Sequence, residues 1–156
     1  MVRVLVTGMS GAGKTSVLEV LALRGHRTVD TDSDEWCEWV ELPDGSRDWI
    51  WRRGPIESLL AERGDRSLFV SGCKMNQGDF YGRFDAVVLL SALVDVLISR
   101  VQSRRTNPYG SSESDIGFIR RHVAEVEPLL RRGATLEVDA TMPLSRVVNR
   151  LEVLAH

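Results

Sequence analysis

The chain has 156 residues, a formal net charge of −2, 43% hydrophobic and 27% charged residues. That size and balance fit a single folded domain over 1–156 and exclude intrinsic disorder. The near-neutral charge gives no electrostatic reason to expect a nucleic-acid partner, and no run approaches the ~20 apolar residues of a membrane span.

Residues 2–7 form a short apolar run ending at Gly8, the pattern of a buried parallel strand. Residues 14–23 suit a helix stopped by Gly25. A second strand over 26–29 leads into an acidic run, Asp30-Thr31-Asp32-Ser33-Asp34-Glu35. Residues 36–51 are mixed, with a turn at Pro43-Asp44-Gly45-Ser46. A helix over 56–63, strands over 67–71 and 86–90, and helices over 92–104 and from Ile116 to beyond Leu130 follow. A fifth strand over 135–138 and a closing helix from Leu144 complete the chain. Strands alternating with helices predict an α/β sandwich around a parallel sheet, with ligands at the carboxyl ends of the strands.

Gly8-Met9-Ser10-Gly11-Ala12-Gly13-Lys14-Thr15 fits G-x-x-x-x-G-K-[ST] between a strand and a helix, the context a phosphate-binding loop requires. Its glycines let backbone N–H groups curl inward around a phosphate, and the following helix presents its positive end. Lys14 supplies a mobile charge for the β- and γ-phosphates, and Thr15 a hydroxyl for Mg²⁺; Ser16 extends the nucleotide set. ATP with Mg²⁺ is the expected cofactor pair.

An extended Asp-x-Asp places Asp30 and Asp32 on one side of the chain. One carboxylate then reaches the metal's water shell while the other meets a substrate hydroxyl. Asp34 is either a further substrate contact or a helix cap.

The phosphate loop, the Asp30-Thr31-Asp32 after the second strand and the arginine-bearing segment Trp51-Arg52-Arg53-Gly54-Pro55 together resemble the shikimate, gluconate and adenylate kinase branch of P-loop kinases. The resemblance spans nearly the whole chain. It implies a five-stranded parallel sheet of order 2-3-1-4-5, use of MgATP, a substrate-side segment near 34–63 and an arginine-bearing lid near 104–113. On this likeness Asp30 would hold metal-bound water, and Asp32 would orient or deprotonate the acceptor hydroxyl. Arg52, with Arg53 beside it, would meet the substrate. Arg100 and Arg104, four apart on one helix face, would neutralise charge on the transferring group. Pro143, in the turn after the fifth strand, would lie near the adenine. Gly72 and Cys73 open a polar loop, 71–78, that reads as a substrate or γ-phosphate contact or as a plain turn, and the direction of Lys74 within it is open.

The sequence departs from shikimate kinases where Ser71-Gly72-Cys73 replaces a glycine run and where Val126 stands in place of a substrate arginine. All four tryptophans fall at 36, 39, 49 and 51, among acidic residues. Such a wall suits a cationic or ring-bearing acceptor, or else packs as ordinary core. The expected activity is phosphoryl transfer to a hydroxyl of a small molecule. The alternatives are a nucleoside or nucleotide kinase and a non-catalytic ATP-binding module. Cys37 and Cys73 lack metal or redox spacing and no signal-peptide pattern opens the chain, so a cytoplasmic monomer or homodimer is expected.

Overall fold

The structure, a computed structural model, describes residues 1–103 and 113–156. In chain order its elements are β1 (Arg3–Thr7), α1 (Lys14–Leu23), β2 (Arg27–Asp30), β3 (Cys37–Glu41), β4 (Arg47–Trp51) and α2 (Arg53–Ala61). They continue with β5 (Leu68–Ser71), a 3₁₀ segment (Gln77–Arg83), β6 (Ala86–Ser91), α3 (Val94–Gln102), α4 (Glu113–Gly133), β7 (Leu136–Asp139) and α5 (Leu144–Glu152).

Five strands pair in parallel in the order β2-β5-β1-β6-β7. Numbering the sheet strands alone from one to five, this is the expected 2-3-1-4-5. β1 lies at the centre, with Val6 opposite Ser71 on one side and Val88 on the other. Helices cover both faces, so both sets of alternating side chains must be apolar. Val4, Val6 and Phe69 pack in one core with Val17 and Leu21 of α1 and Val148 and Leu151 of α5. Leu5, Leu68, Val70 and Val87 pack in another with Ile56, Leu59 and Leu60 of α2. Among the described residues no helix is long and apolar enough to cross a membrane.

The structure differs from the sequence reading between β2 and α2. The mixed stretch is an antiparallel hairpin, with Cys37 opposite Trp51 and Trp39 opposite Trp49. Its turn is closed by bonds from the Ser46 amide and hydroxyl to Asp44 Oδ1. Helix α2 begins at Arg53 rather than 56, since Pro55 falls within its first turn, where a missing N–H costs nothing.

The hairpin settles which tryptophans are core. Trp51 is buried at 1% exposure, meets Phe80 edge-on at 5.7 Å and donates its indole N–H to Thr31 Oγ1 at 2.8 Å. Trp39, midway along the hairpin, is 58% exposed. Trp51→Ala is therefore expected to lower the unfolding free energy by about 3–5 kcal/mol. Trp39→Ala should stay within about 1 kcal/mol of the wild type. Urea denaturation of both variants measures the difference, and equal losses would overturn this assignment of core and wall.

Candidate active site

The loop after β1 turns where a side chain cannot follow. Gly11 has φ +87, and a Cβ there would stand 2.6 Å from the Leu97 carbonyl oxygen. The loop ends at Gly13, the N-cap of α1, which offers no side-chain cap to the first N–H groups of the helix. A helix start of this kind, with its dipole, suits an anion. Lys14 folds back over the loop, its Nζ donating to the carbonyls of Gly8 at 2.6 Å and Met9 at 3.2 Å.

A cavity of about 450 Å³ opens above this loop. Gly8, Met9, Ser10, Gly11, Gly13, Lys14, Thr15 and Ser16 line it from the β1–α1 side, with Asp30 and Asp32 from the end of β2. The loop after β5 contributes Gly72, Cys73 and Lys74, and α4 contributes His122. Ala12 lines a second cavity instead.

Thr31 explains why two carboxylates face this space. Its fully buried side chain points the other way, donating from Oγ1 to the Ser71 carbonyl at 2.7 Å. Its neighbours must then face the strand ends. Asp30 Oδ1 accepts the Asp32 amide at 3.0 Å, an Asx turn that bends the chain back over the cavity. Asp32 Oδ1 in turn accepts from Lys74 Nζ at 3.0 Å.

Lys74 thus points into the site, the question its sequence context left open. Its side chain is only 13% exposed, and its Nζ lies 4.3 Å from the Trp49 ring centroid. Gln77, itself buried, fixes the loop: its side-chain Oε1 accepts the Lys74 amide at 2.9 Å, and its Nε2 donates to Thr7 Oγ1 and Tyr81 Oη at 3.0 Å. Gly72 is required at the loop's start, because a Cβ would stand 2.6 Å from Thr31 Oγ1 and 3.0 Å from the Trp51 ring.

The second cavity, about 330 Å³, lies behind the loop between α1 and the turn into α5. Arg100 lines it and donates to the carbonyls of Gly11 at 3.2 Å and Ala140 at 2.6 Å, strapping that turn to the phosphate loop. Asp139, at the base of the turn, accepts from the hydroxyl and amide of Thr141; these bonds, with Arg100's charge, hold its carboxyl below the usual range. Ala140, Met142 and Leu144 line the cavity while Pro143 serves as the N-cap of α5. The region expected near the adenine does form a cavity, but its neighbours rather than Pro143 supply the wall.

Other expected residues do not line these three cavities. Arg52 Nε donates to the carbonyls of Asp34 at 2.9 Å and Cys37 at 3.0 Å, and its Nη1 pairs with Glu38 at 3.1 Å. The guanidinium ties the hairpin to the segment before it, and Asp34 takes part through its backbone. Arg53 pairs with Asp79 and lies 5.5 Å from the Phe80 ring centroid. Arg104 and the lid expected at 104–113 fall outside the described residues, except for Glu113, which opens α4.

Sequence reasoning missed His122 and Asp48. His122 reaches the site from a helix remote in the chain, where its spacing carries no signal. Asp48 lies in the unrecognised hairpin and lines a third cavity, about 510 Å³, beside the first. The two cavities share Cys73, Lys74 and His122. Burial pushes the other thiol, Cys37, up in pKa, leaving a weakly reactive donor bonded to the Thr31 carbonyl.

Residues 4–126 match the AAA domain family. No curated protein sequence matches the chain, but solved structures resemble it over nearly its full length. Shikimate kinase from Acinetobacter baumannii in complex with shikimate superposes with a TM-score of 0.67 at 19% identity, covering 99% of this chain and 92% of that one. A gluconokinase from Sinorhizobium meliloti 1021 has a TM-score of 0.60 at 22% identity, covering 99% and 93%. Deoxyadenosine kinase from M. mycoides with bound dATP has a TM-score of 0.63 at 13% identity, covering 96% and 97%. At such identities the likeness is one of fold. The chain therefore belongs to the AAA domain family and has the fold of the P-loop small-molecule kinases.

Proposed function

We propose that this protein is an ATP-dependent kinase that transfers the γ-phosphoryl group to a hydroxyl of a small polar acceptor, with Mg²⁺ assisting. The observation that carries this reading is the Asp32 carboxylate, which lines the same cavity as the phosphate loop and is clamped by Lys74. A module that only bound nucleotide would need the loop but no positioned carboxylate.

In this reading the loop N–H groups and Lys14 hold the β- and γ-phosphates, with Lys14 exchanging its carbonyl partners for phosphate oxygens. Thr15 and Asp30 offer hard oxygen donors in the same cavity, the set Mg²⁺ takes together with phosphate oxygens and water. When bound, Mg²⁺ neutralises charge on the β- and γ-phosphate oxygens. Asp32 accepts the proton of the acceptor hydroxyl as that oxygen bonds to the γ-phosphorus. The bond from phosphorus to the β–γ bridging oxygen breaks, and ADP leaves. Lys74 positions Asp32 and sits where phosphate and acceptor spaces meet. Arg100 and the turn after β7 flank the nucleotide.

A nucleoside acceptor is the second reading, favoured by the stacked pair of Trp39 and Trp49, whose centroids lie 6.1 Å apart and which a flat base would extend.

The test is a phosphotransfer screen of polar metabolites and nucleosides with MgATP, read by mass spectrometry. Lys14→Ala should abolish product formation. Asp32→Asn should lower kcat by about 10²–10⁴-fold with ATP affinity retained; turnover near wild type would remove Asp32 from the reaction. Lys74→Met should lower kcat by about 10²-fold through misplacement of Asp32, and Lys74→Arg should recover part of it. Identical kinetics for Lys74→Met and wild type would show that the pair is incidental.

A further inference from the structure

The third cavity is built differently from the phosphate site it adjoins. Its mouth is apolar, with Trp39, Met75 and Leu129 exposed at 58%, 74% and 59%. Large apolar side chains gathered around one opening mark a binding surface rather than ordinary solvent-facing structure. Its inner wall carries the Trp49 ring, stacked near Trp39 at an interplanar angle of 30°.

The charges narrow the occupant further. The described nitrogen bases lining this cavity are Lys74, already paired with Asp32, and His122. Asp48 supplies the cavity's carboxylate. Its Oδ1 accepts the Trp49 amide at 2.9 Å, while its Oδ2 is closed off from solvent without a partner. The adjacent indole N–H of Trp49 is also buried and without an acceptor. Native folds leave few buried polar atoms unpaired, and here an orphan acceptor and an orphan donor stand on neighbouring residues of one cavity wall.

We infer that this cavity is the acceptor site and that it selects a hydroxylated ring compound bearing a protonated amine. The inference rests on the kinase reading above and names its substrate class. The ring packs against Trp39, Trp49 and Met75. The ammonium group pairs with Asp48, with a small adjustment of the hairpin admitting it to Oδ2. A polar atom beside the amine accepts from Trp49 Nε1. The acceptor hydroxyl reaches Asp32 across the boundary that Lys74 shares between the two cavities, and it undergoes the transfer already described.

All four tryptophans lie at 36–51, so their fluorescence reads occupancy of the hairpin without turnover. Hydroxylated ring amines, their neutral analogues, ring carboxylates, nucleosides and acyclic polyols would each be titrated against the whole protein and assayed with MgATP. The ring amines should quench fluorescence and exceed every other class in kcat/KM by at least about tenfold. Asp48→Asn should raise their KM by about 10–100-fold with kcat little changed and erase the preference over the neutral analogues. Trp49→Phe should raise KM less, and thermal melts of both variants would confirm folding. Lys14-dependent phosphorylation of a carboxylate, nucleoside or polyol at equal or better kcat/KM would overturn the inference and leave the kinase reading standing. Absence of product from every class would sink the kinase reading. In that event, ring-amine binding that depends on Asp48 would still support the cavity's chemistry, and no such binding would overturn it.

Discussion

Thr31 Oγ1 donates to the Ser71 carbonyl at 2.7 Å and accepts the Trp51 indole N–H at 2.8 Å, with all of it buried. This one hydroxyl joins β2, β5 and the root of the β3–β4 hairpin. Because Thr31 turns inward, Asp30 and Asp32 turn outward over the phosphate loop. Because the hydroxyl and the indole occupy the space beside residue 72, only glycine fits there, and the loop carrying Lys74 starts close against the sheet. A buried hydroxyl of this kind has a high stake in staying paired, since losing either partner leaves a polar atom desolvated and unsatisfied. The catalytic face and the core are in this sense two sides of the same residue.

Lysine use takes on a meaning in the structure that it lacked in the composition. Of 20 basic residues only Lys14 and Lys74 are lysines, and both line the phosphate cavity. Arginine serves elsewhere, as in the Arg24–Glu152, Arg27–Glu62 and Arg131–Glu137 pairs. The distinction has a physical basis: an ammonium is a compact charge on a flexible stem, while a guanidinium is a rigid fork. Lys14 must turn from loop carbonyls toward a phosphate, and Lys74 fits between a carboxylate and an indole face.

The parts legible in the sequence were those whose chemistry is local. The spacing from Gly8 to Thr15 encodes a loop conformation directly, and the alternation of Asp30, Thr31 and Asp32 encodes their facing. The continuous apolar run over 2–7 announced a strand covered on both faces. The hairpin was not legible because both of its faces are partly exposed, and acidic residues interrupt its alternation. Arg52 looked like a substrate contact by position, but Glu38 and two carbonyls from the hairpin capture it, partners that exist only once the hairpin forms. The direction of Lys74 and the place of His122 needed the fold, since a loop after β5 and a helix before β7 meet only in three dimensions.

The two halves of the site are held by unlike means. The phosphate half rests on strand ends and backbone groups of the parallel sheet, with Arg100 bonding the loop to the turn after β7. The half proposed for the acceptor rests on a two-stranded ribbon outside that sheet, a structure marginal on its own. Order in the ribbon comes from its root, where Trp51 and Cys37 are buried and Asn76 exchanges two hydrogen bonds with the Trp51 backbone. Trp39 and Trp49, facing each other midway along the ribbon, are more exposed than Trp51 at its root, so the wall of the third cavity is less constrained than the phosphate half. On the proposed reading, substitutions along the ribbon would change which molecule is held while the root, the loop and Asp32 keep their geometry. Specificity would then be separable from the transfer chemistry, because the two depend on different packing.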